Sequence, residues 1–156
     1  MKKCVAVIDT TFARVNMGDI AVKVLKRKLP GYIIKRITVP GIKDLPGAAK
    51  RMLDQGCEAA ITLGWVGMRE ADKLSYIAMS VGLIMVEIFT GKLVLDVTVH
   101  EDEAPGNPKR LNEIALDRVE KHAENLALLL REGPEALVKY AGKGLRQGYE
   151  HAGELK

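Results

Sequence analysis

The chain has 156 residues, 47% hydrophobic and 28% charged, with a formal net charge of +4. A chain of this length makes about one domain and buries roughly 68–70% of its unfolded surface, so a core needs no metal or disulfide staple. The basic excess is mild and interleaved with acids (Lys23, Lys26, Arg27 and Lys28 against Asp44, Asp54 and Glu58), which leaves no concentrated phosphate-binding footprint and argues against a nucleic-acid partner.

Met1-Lys2-Lys3 precede only a short apolar stretch before Asp9, without the longer apolar region and small-residue cleavage site of a secretory signal, so export is not expected. The longest uncharged apolar run, Leu74–Val86, falls short of the about 20 residues that cross a bilayer, and no membrane partner is expected. Cys4 and Cys57 sit in apolar stretches with no Cys-x-x-Cys or Cys/His pattern, which predicts two buried free thiols in a reducing cytoplasm.

In chain order, Cys4–Ile8 is a continuous apolar run ended by Asp9, the pattern of a strand covered on both faces. After the loop Asp9–Asn16, the positions Met17, Ile20, Ala21, Val24, Leu25 and Leu29 recur at helical spacing, and Pro30-Gly31 stops them. Tyr32–Val39 is β-branched and reads as a second strand. Leu45, Ala48, Ala49, Met52 and Leu53 make a helical stripe that closes at Gly56. Ala59–Leu63 is a third strand entering Gly64, followed by a charged helix start (Arg69, Glu70, Asp72, Lys73) and a body apolar nearly all round through Ile88. A surface helix shows one apolar stripe, so this one is expected to pack against another subunit. Lys92–Val99 supplies a fourth strand ending in His100-Glu101-Asp102-Glu103, and a long helix runs from about Lys109 to Arg131. The remainder adds one short helical stretch and a Gly-rich tail, Ala141–Gly148.

The alternation predicts an α/β fold: a single domain over residues 1–156, with a four-stranded parallel sheet and helices on both faces. Ligands of such sheets collect beyond the carboxyl ends of the strands, here Asp9–Ala13, Pro40–Lys43, Gly64–Gly67 and His100–Glu103. Phe12 and Trp65 fall in these loops of a chain with only 4% aromatic residues, and offer ring faces to a planar heterocycle; core filling is the alternative. The Pro40–Lys43 segment opens a helix whose N–H groups suit a carbonyl or hydroxyl oxygen, although such loops also serve as plain connectors. His100 stands beside three carboxylates, an arrangement that fixes its tautomer or raises its pKa toward 7, unless it is a surface residue at a cap. His122 lies on the apolar stripe of the long helix and reads as a core or interface histidine, and His151 as solvated. Glu101, Asp102 and Glu103 suit Mg²⁺ less well than compensation of the following helix dipole, so no metal site is assigned. Gly-x-Gly-x-x-Gly after the first strand, Gly-x-x-x-x-Gly-Lys-Ser/Thr, Gly-x-Ser-x-Gly and His-Glu-x-x-His are all missing, which weakens dinucleotide, P-loop and hydrolase readings.

Taken together, Asp9–Arg14, Val39–Pro46, Leu63-Gly64, Val99–Ala104, His122–Asn125 and Ala141–Gly148 resemble the archaeal-type riboflavin synthase family, a relative of lumazine synthase. The resemblance implies a flavodoxin-like subunit, a cytoplasmic homopentamer with active sites between neighbours, and no cofactor, with a divalent cation such as Mg²⁺ left open. It also implies the reaction: two molecules of 6,7-dimethyl-8-ribityllumazine exchange a four-carbon unit to give riboflavin and 5-amino-6-ribitylaminouracil. Carried over, Thr11, Phe12, Ala13, Gly41, Ile42, Lys43, Gly64, Trp65, Val66 and Glu101 would bind substrate, and Lys73, Asp72 and His100 would move protons or stabilise the developing anion. Lumazine synthase, or a non-catalytic lumazine- or flavin-binding module, is the alternative. Against lumazine synthase, Pro40-Gly41-Ile42-Lys43-Asp44 replaces a Pro-Gly-Ala/Ser-Phe-Glu type of segment, Lys73 falls at the cousin's catalytic His, and Met68-Arg69-Glu70-Ala71 replaces its phosphate-accepting stretch. The C7 methyl of the lumazine is itself acidic, so the protein's main task would be to align two heterocycles, which is worth about 7–11 kcal/mol.

Overall fold

Strands β1 (Cys4–Thr10), β2 (Ile33–Val39), β3 (Ala59–Val66) and β4 (Leu93–His100) pair in parallel, in the order β2-β1-β3-β4, in the computed structural model, which describes residues 2–156. Helices α1 (Met17–Lys28) and α4 (Pro108–Glu132) cover one face, and α2 (Leu45–Asp54) and α3 (Glu70–Thr90) the other. The predicted α/β architecture is therefore observed. β1 and β3 are buried at every position because they are the central strands, which is why their sequences run apolar without alternation.

Strand alternation divides the interior in two. Val5, Val7, Ile61, Leu63 and Trp65 meet α1 and α4, whereas Ala6, Ile8, Ala60 and Val66 meet α2 and α3. Helix starts are set locally: the Asn16 side chain accepts from the Asp19 N–H, and the Asn107 side chain accepts from the Arg110 N–H at 3.0 Å with Pro108 opening α4.

Three expectations need correction. Gly64 does not end β3, which continues through Trp65 to Val66; a Cβ on Gly64 would stand 3.0 Å from Thr98 Oγ1 and 3.2 Å from Ile42 Cγ2, so the glycine answers to close packing, not to a turn. Cys4 and Cys57 are not free thiols but a disulfide with Cα atoms 4.4 Å apart. Their 53-residue separation hid this, because the Glu58 N–H donates to the Cys4 carbonyl at 2.8 Å and so brings the residue before β3 beside the first residue of β1. Finally, α3 is longer than its uncharged run suggested and is, by length and composition alone, long and apolar enough to cross a bilayer. It lies instead against α2 and the sheet through Met79, Leu83 and Val86, leaving Leu74, Ile77, Val81, Ile84, Ile88 and Phe89 exposed.

Candidate active site

Beyond the carboxyl ends of the strands, next to the β1/β3 switch in strand order, lies a cleft of about 380 Å³. Phe12, Pro40–Asp44, Trp65, Asp72 and Ser75 line it. A hollow of about 590 Å³ between α4 and the tail, lined by Glu124, Arg131, Tyr140 and Gln147 among others, is larger but shares none of these residues.

The cleft walls are stitched from neighbouring strand ends. The Thr11 N–H donates to the Val39 carbonyl at 2.9 Å and its hydroxyl to the Pro40 carbonyl at 3.2 Å, while the Ala13 N–H donates to Thr10 Oγ1 at 3.2 Å. Between them Phe12 is 51% exposed, its ring free to meet a ligand. Ile42 is buried against Gly64 and supplies an apolar floor, with Lys43 exposed at the rim. The Gly41 N–H is already donated to Asp44 Oδ2 at 3.1 Å, so that donor is spent within the loop. Asp44 and Ser75 are not among the predicted site residues, and Gly67 enters the sequence reading only as the end of the segment Gly64–Gly67. A Cβ on Gly67 would stand 2.6 Å from Asp72 Oδ2, so this glycine makes room for the Asp72 carboxylate, with the Phe12 ring at an ordinary contact distance of 3.5 Å. Its place next to a strand end was the one signal available.

Other predicted residues are placed differently. Trp65 is 1% exposed, and its Nε1 donates to Glu101 Oε1 at 2.9 Å; buried this deeply, it offers the cleft no free stacking face. Glu101 also accepts from Arg14 at 3.1 Å, and these two bonds, Trp65's the stronger, hold its carboxyl below the usual range despite the opposing effect of burial. Val66 points into the α2/α3 core. Lys73 pairs with Asp102 at 2.8 Å and lies outside the cleft wall; Asp72 does line it, with Oδ2 also accepting from the Arg69 N–H at 3.3 Å.

His100 belongs to a second hollow, about 390 Å³, at the β4 edge with Tyr76, Asp96, Thr98, Arg118 and His122. Its ring meets Tyr76 edge-on with centroids 4.5 Å apart, and burial lowers its pKa more than Glu103 and Asp102 raise it, which reverses the expected direction. His122 faces this hollow and is pushed down to about 4 by burial and by Arg118. Burial raises the Asp96 pKa against a hydrogen bond from the Thr98 hydroxyl at 2.8 Å. Arg118 is itself buried, forked onto both oxygens of Glu103 and donating to the carbonyls of Thr98 at 2.7 Å and Gly148 at 3.1 Å, which ties the tail to α4 and β4. His151 is exposed, as the sequence suggests, and its Nδ1 accepts from the Arg146 N–H at 3.0 Å.

The acidic run diverges: Glu101 goes to Trp65 and Arg14, Asp102 to Lys73, and Glu103 to Arg118. Among the described residues no group of three His, Cys, Asp or Glu side chains is placed to hold a metal ion.

The sequence model of the 6,7-dimethyl-8-ribityllumazine synthase family matches residues 2–127. The chain belongs to this family. Within it, the riboflavin synthase of Aeropyrum pernix is 72% identical over 156 residues, covering the whole of both chains. The riboflavin synthase of Archaeoglobus fulgidus is 50% identical over 97% of each chain, and that of Methanothermobacter thermautotrophicus 44% identical over 97% of this chain and 98% of the relative. The family match stops before the tail, whereas similarity to the riboflavin synthases continues through it.

Proposed function

We propose that this chain is a riboflavin synthase, converting two molecules of 6,7-dimethyl-8-ribityllumazine into riboflavin and 5-amino-6-ribitylaminouracil by passing a four-carbon unit from one to the other. The observation that carries this reading is the 72% identity to a riboflavin synthase along the entire chain, tail included. The cleft agrees with it: an exposed ring, Phe12, stands beside an apolar floor, and among the described residues Lys43 is the one cation in the wall, without a guanidinium. Lumazine synthesis, which must bind and expel a phosphate, is correspondingly disfavoured.

At about 380 Å³ the cleft is at the small end of the range for ligand sites, about 300–1,000 Å³, and suits one lumazine. The second substrate then stacks from outside the protomer, against a wall brought by a neighbouring subunit. We place that neighbour in a cytoplasmic homopentamer whose interfaces cover the exposed apolar face of α3. Phe12 flanks one heterocycle, and the Gly41–Lys43 loop takes its polar edge. Asp72 is the carboxylate of the cleft not spent on the Gly41 loop, and removes the C7 methyl proton; Lys73 and His100 lie outside this wall and serve at most a neighbour's cleft.

Incubation of the purified protein with dimethylribityllumazine alone tests the reading. Riboflavin from that single substrate supports it. Product only on addition of the uracil diamine and a four-carbon phosphate would identify a lumazine synthase, and binding without turnover a non-catalytic module. Sedimentation of the protein as a monomer would remove the pentamer.

A further inference from the structure

We propose that Arg36, a β2 residue outside the cleft, is a positioning residue that sets where Phe12 stands by pinning both ends of the loop that carries it. The loop lies between the last residue of β1, Thr10, and the first of α1, Met17. Arg36 Nη2 donates to Asp9 Oδ2 at 2.5 Å before the loop and to Asn16 Oδ1 at 2.7 Å after it, and Nη1 donates to Asp19 Oδ1 at 2.7 Å in the first turn of α1. One planar fork therefore fixes the distance between strand end and helix start, which a single ammonium cannot do. The site is built around this fork. Asp9 is 4% exposed and also accepts from the Thr38 hydroxyl at 2.6 Å, so its carboxylate is held from β2 by two donors. A Cβ on Gly18 would collide with both the guanidinium and the Asp9 carboxylate, so the first turn of α1 has room for the fork only because that residue is glycine.

The inference rests on the reading of Phe12 as a substrate-flanking residue. Displacing a group in a reacting site by about 1 Å costs on the order of 100-fold, so even a partial release of the loop is measurable. Arg36→Lys keeps the charge beside Asp9 and loses the fork. It is expected to raise the KM for dimethylribityllumazine by about tenfold with a smaller change in kcat, while the thermal midpoint stays within a few degrees.

Phe12→Ala and the double variant complete the cycle. If Arg36 acts through Phe12, adding Arg36→Lys to Phe12→Ala raises KM no further. An unchanged KM for Arg36→Lys, or an effect that multiplies in full with that of Phe12→Ala, overturns the inference and leaves the Phe12 reading intact. A Phe12→Ala variant with unaltered KM overturns the Phe12 reading itself. Should Arg36→Lys fail to fold, Asp19→Ala, which removes one exposed acceptor of the fork, takes its place in the same cycle with the same expectations.

Discussion

Trp65 Nε1 and Glu101 Oε1 are 2.9 Å apart, a hydrogen bond that joins the end of β3 to the turn after β4 and holds in place an indole whose burial, at 1% exposure, leaves it no free stacking surface. The same carboxylate holds Arg14 from the β1–α1 loop, so three strand-end segments meet at one side chain. Trp65→Phe keeps most of the packing and cuts that tie. Hydrogen bonds to charged groups contribute about 1.5–3 kcal/mol, so denaturant unfolding should show a loss of about 2 kcal/mol, with KM changed far less than by Phe12→Ala. A larger effect on KM than on stability would return Trp65 to the stacking role.

Asp72 and Lys73 are adjacent in sequence but face different partners: Asp72 lines the cleft, and Lys73 reaches Asp102. Positioned proton transfer typically contributes 10²–10⁴-fold, so Asp72→Asn should lower kcat by about 100-fold or more, and Lys73→Ala by much less. Steady-state rates of riboflavin formation decide between them, and a Lys73→Ala variant as slow as Asp72→Asn would reverse the assignment.

His122 is held down to about 4 by burial and by the nearby Arg118, so the folded protein binds this proton less readily than the unfolded chain, whose histidines titrate near the ordinary value of about 6.5. The stabilisation is present in full above that ordinary value and is lost as pH falls toward about 4. His122→Gln should therefore flatten the decline of unfolding free energy between those limits, read from urea melts at a series of pH values. A wild-type slope in the variant would assign the decline to other groups, among them His100, whose pKa is lowered by the same cause.

Most of the frame was legible in the sequence because the physics that sets it is local. Continuous apolar runs mark the buried strands, 3.6-residue periodicity marks α1, α2 and α4, and the strand-end rule puts the site next to Phe12 and Gly41–Lys43, where the cleft lies. What was not legible is set by contacts distant in sequence. Gly64 resembles a strand stop until Thr98 and Ile42 are seen pressing on it. Trp65 resembles a loop aromatic until β3 is seen to continue to Val66, and the trio after His100 resembles a cluster until each carboxylate finds a different cation. The direction of the His100 shift was misread for a related reason: sequence displays the neighbouring charges but not the depth of burial that outweighs them.

The disulfide was missed most completely and gives the cleanest separation of stability from function. It joins Cys4, the first residue of β1, to Cys57, just before β3, at the amino ends of the strands and so at the opposite edge of the sheet from the cleft. Closing a loop whose ends are 53 positions apart in sequence removes chain entropy from the unfolded state worth about 4 kcal/mol. Because the strand pairing around both residues holds them in register without the bridge, Cys4→Ala/Cys57→Ala should still fold, with a lower denaturant midpoint and with KM and kcat for riboflavin formation unchanged at temperatures below unfolding. Oxidised wild type should show the same loss of stability on treatment with dithiothreitol, and the double variant none. A fall in activity of the folded variant would mean that the bridge is felt at the far ends of β1 and β3, and that the sheet transmits strain along its length.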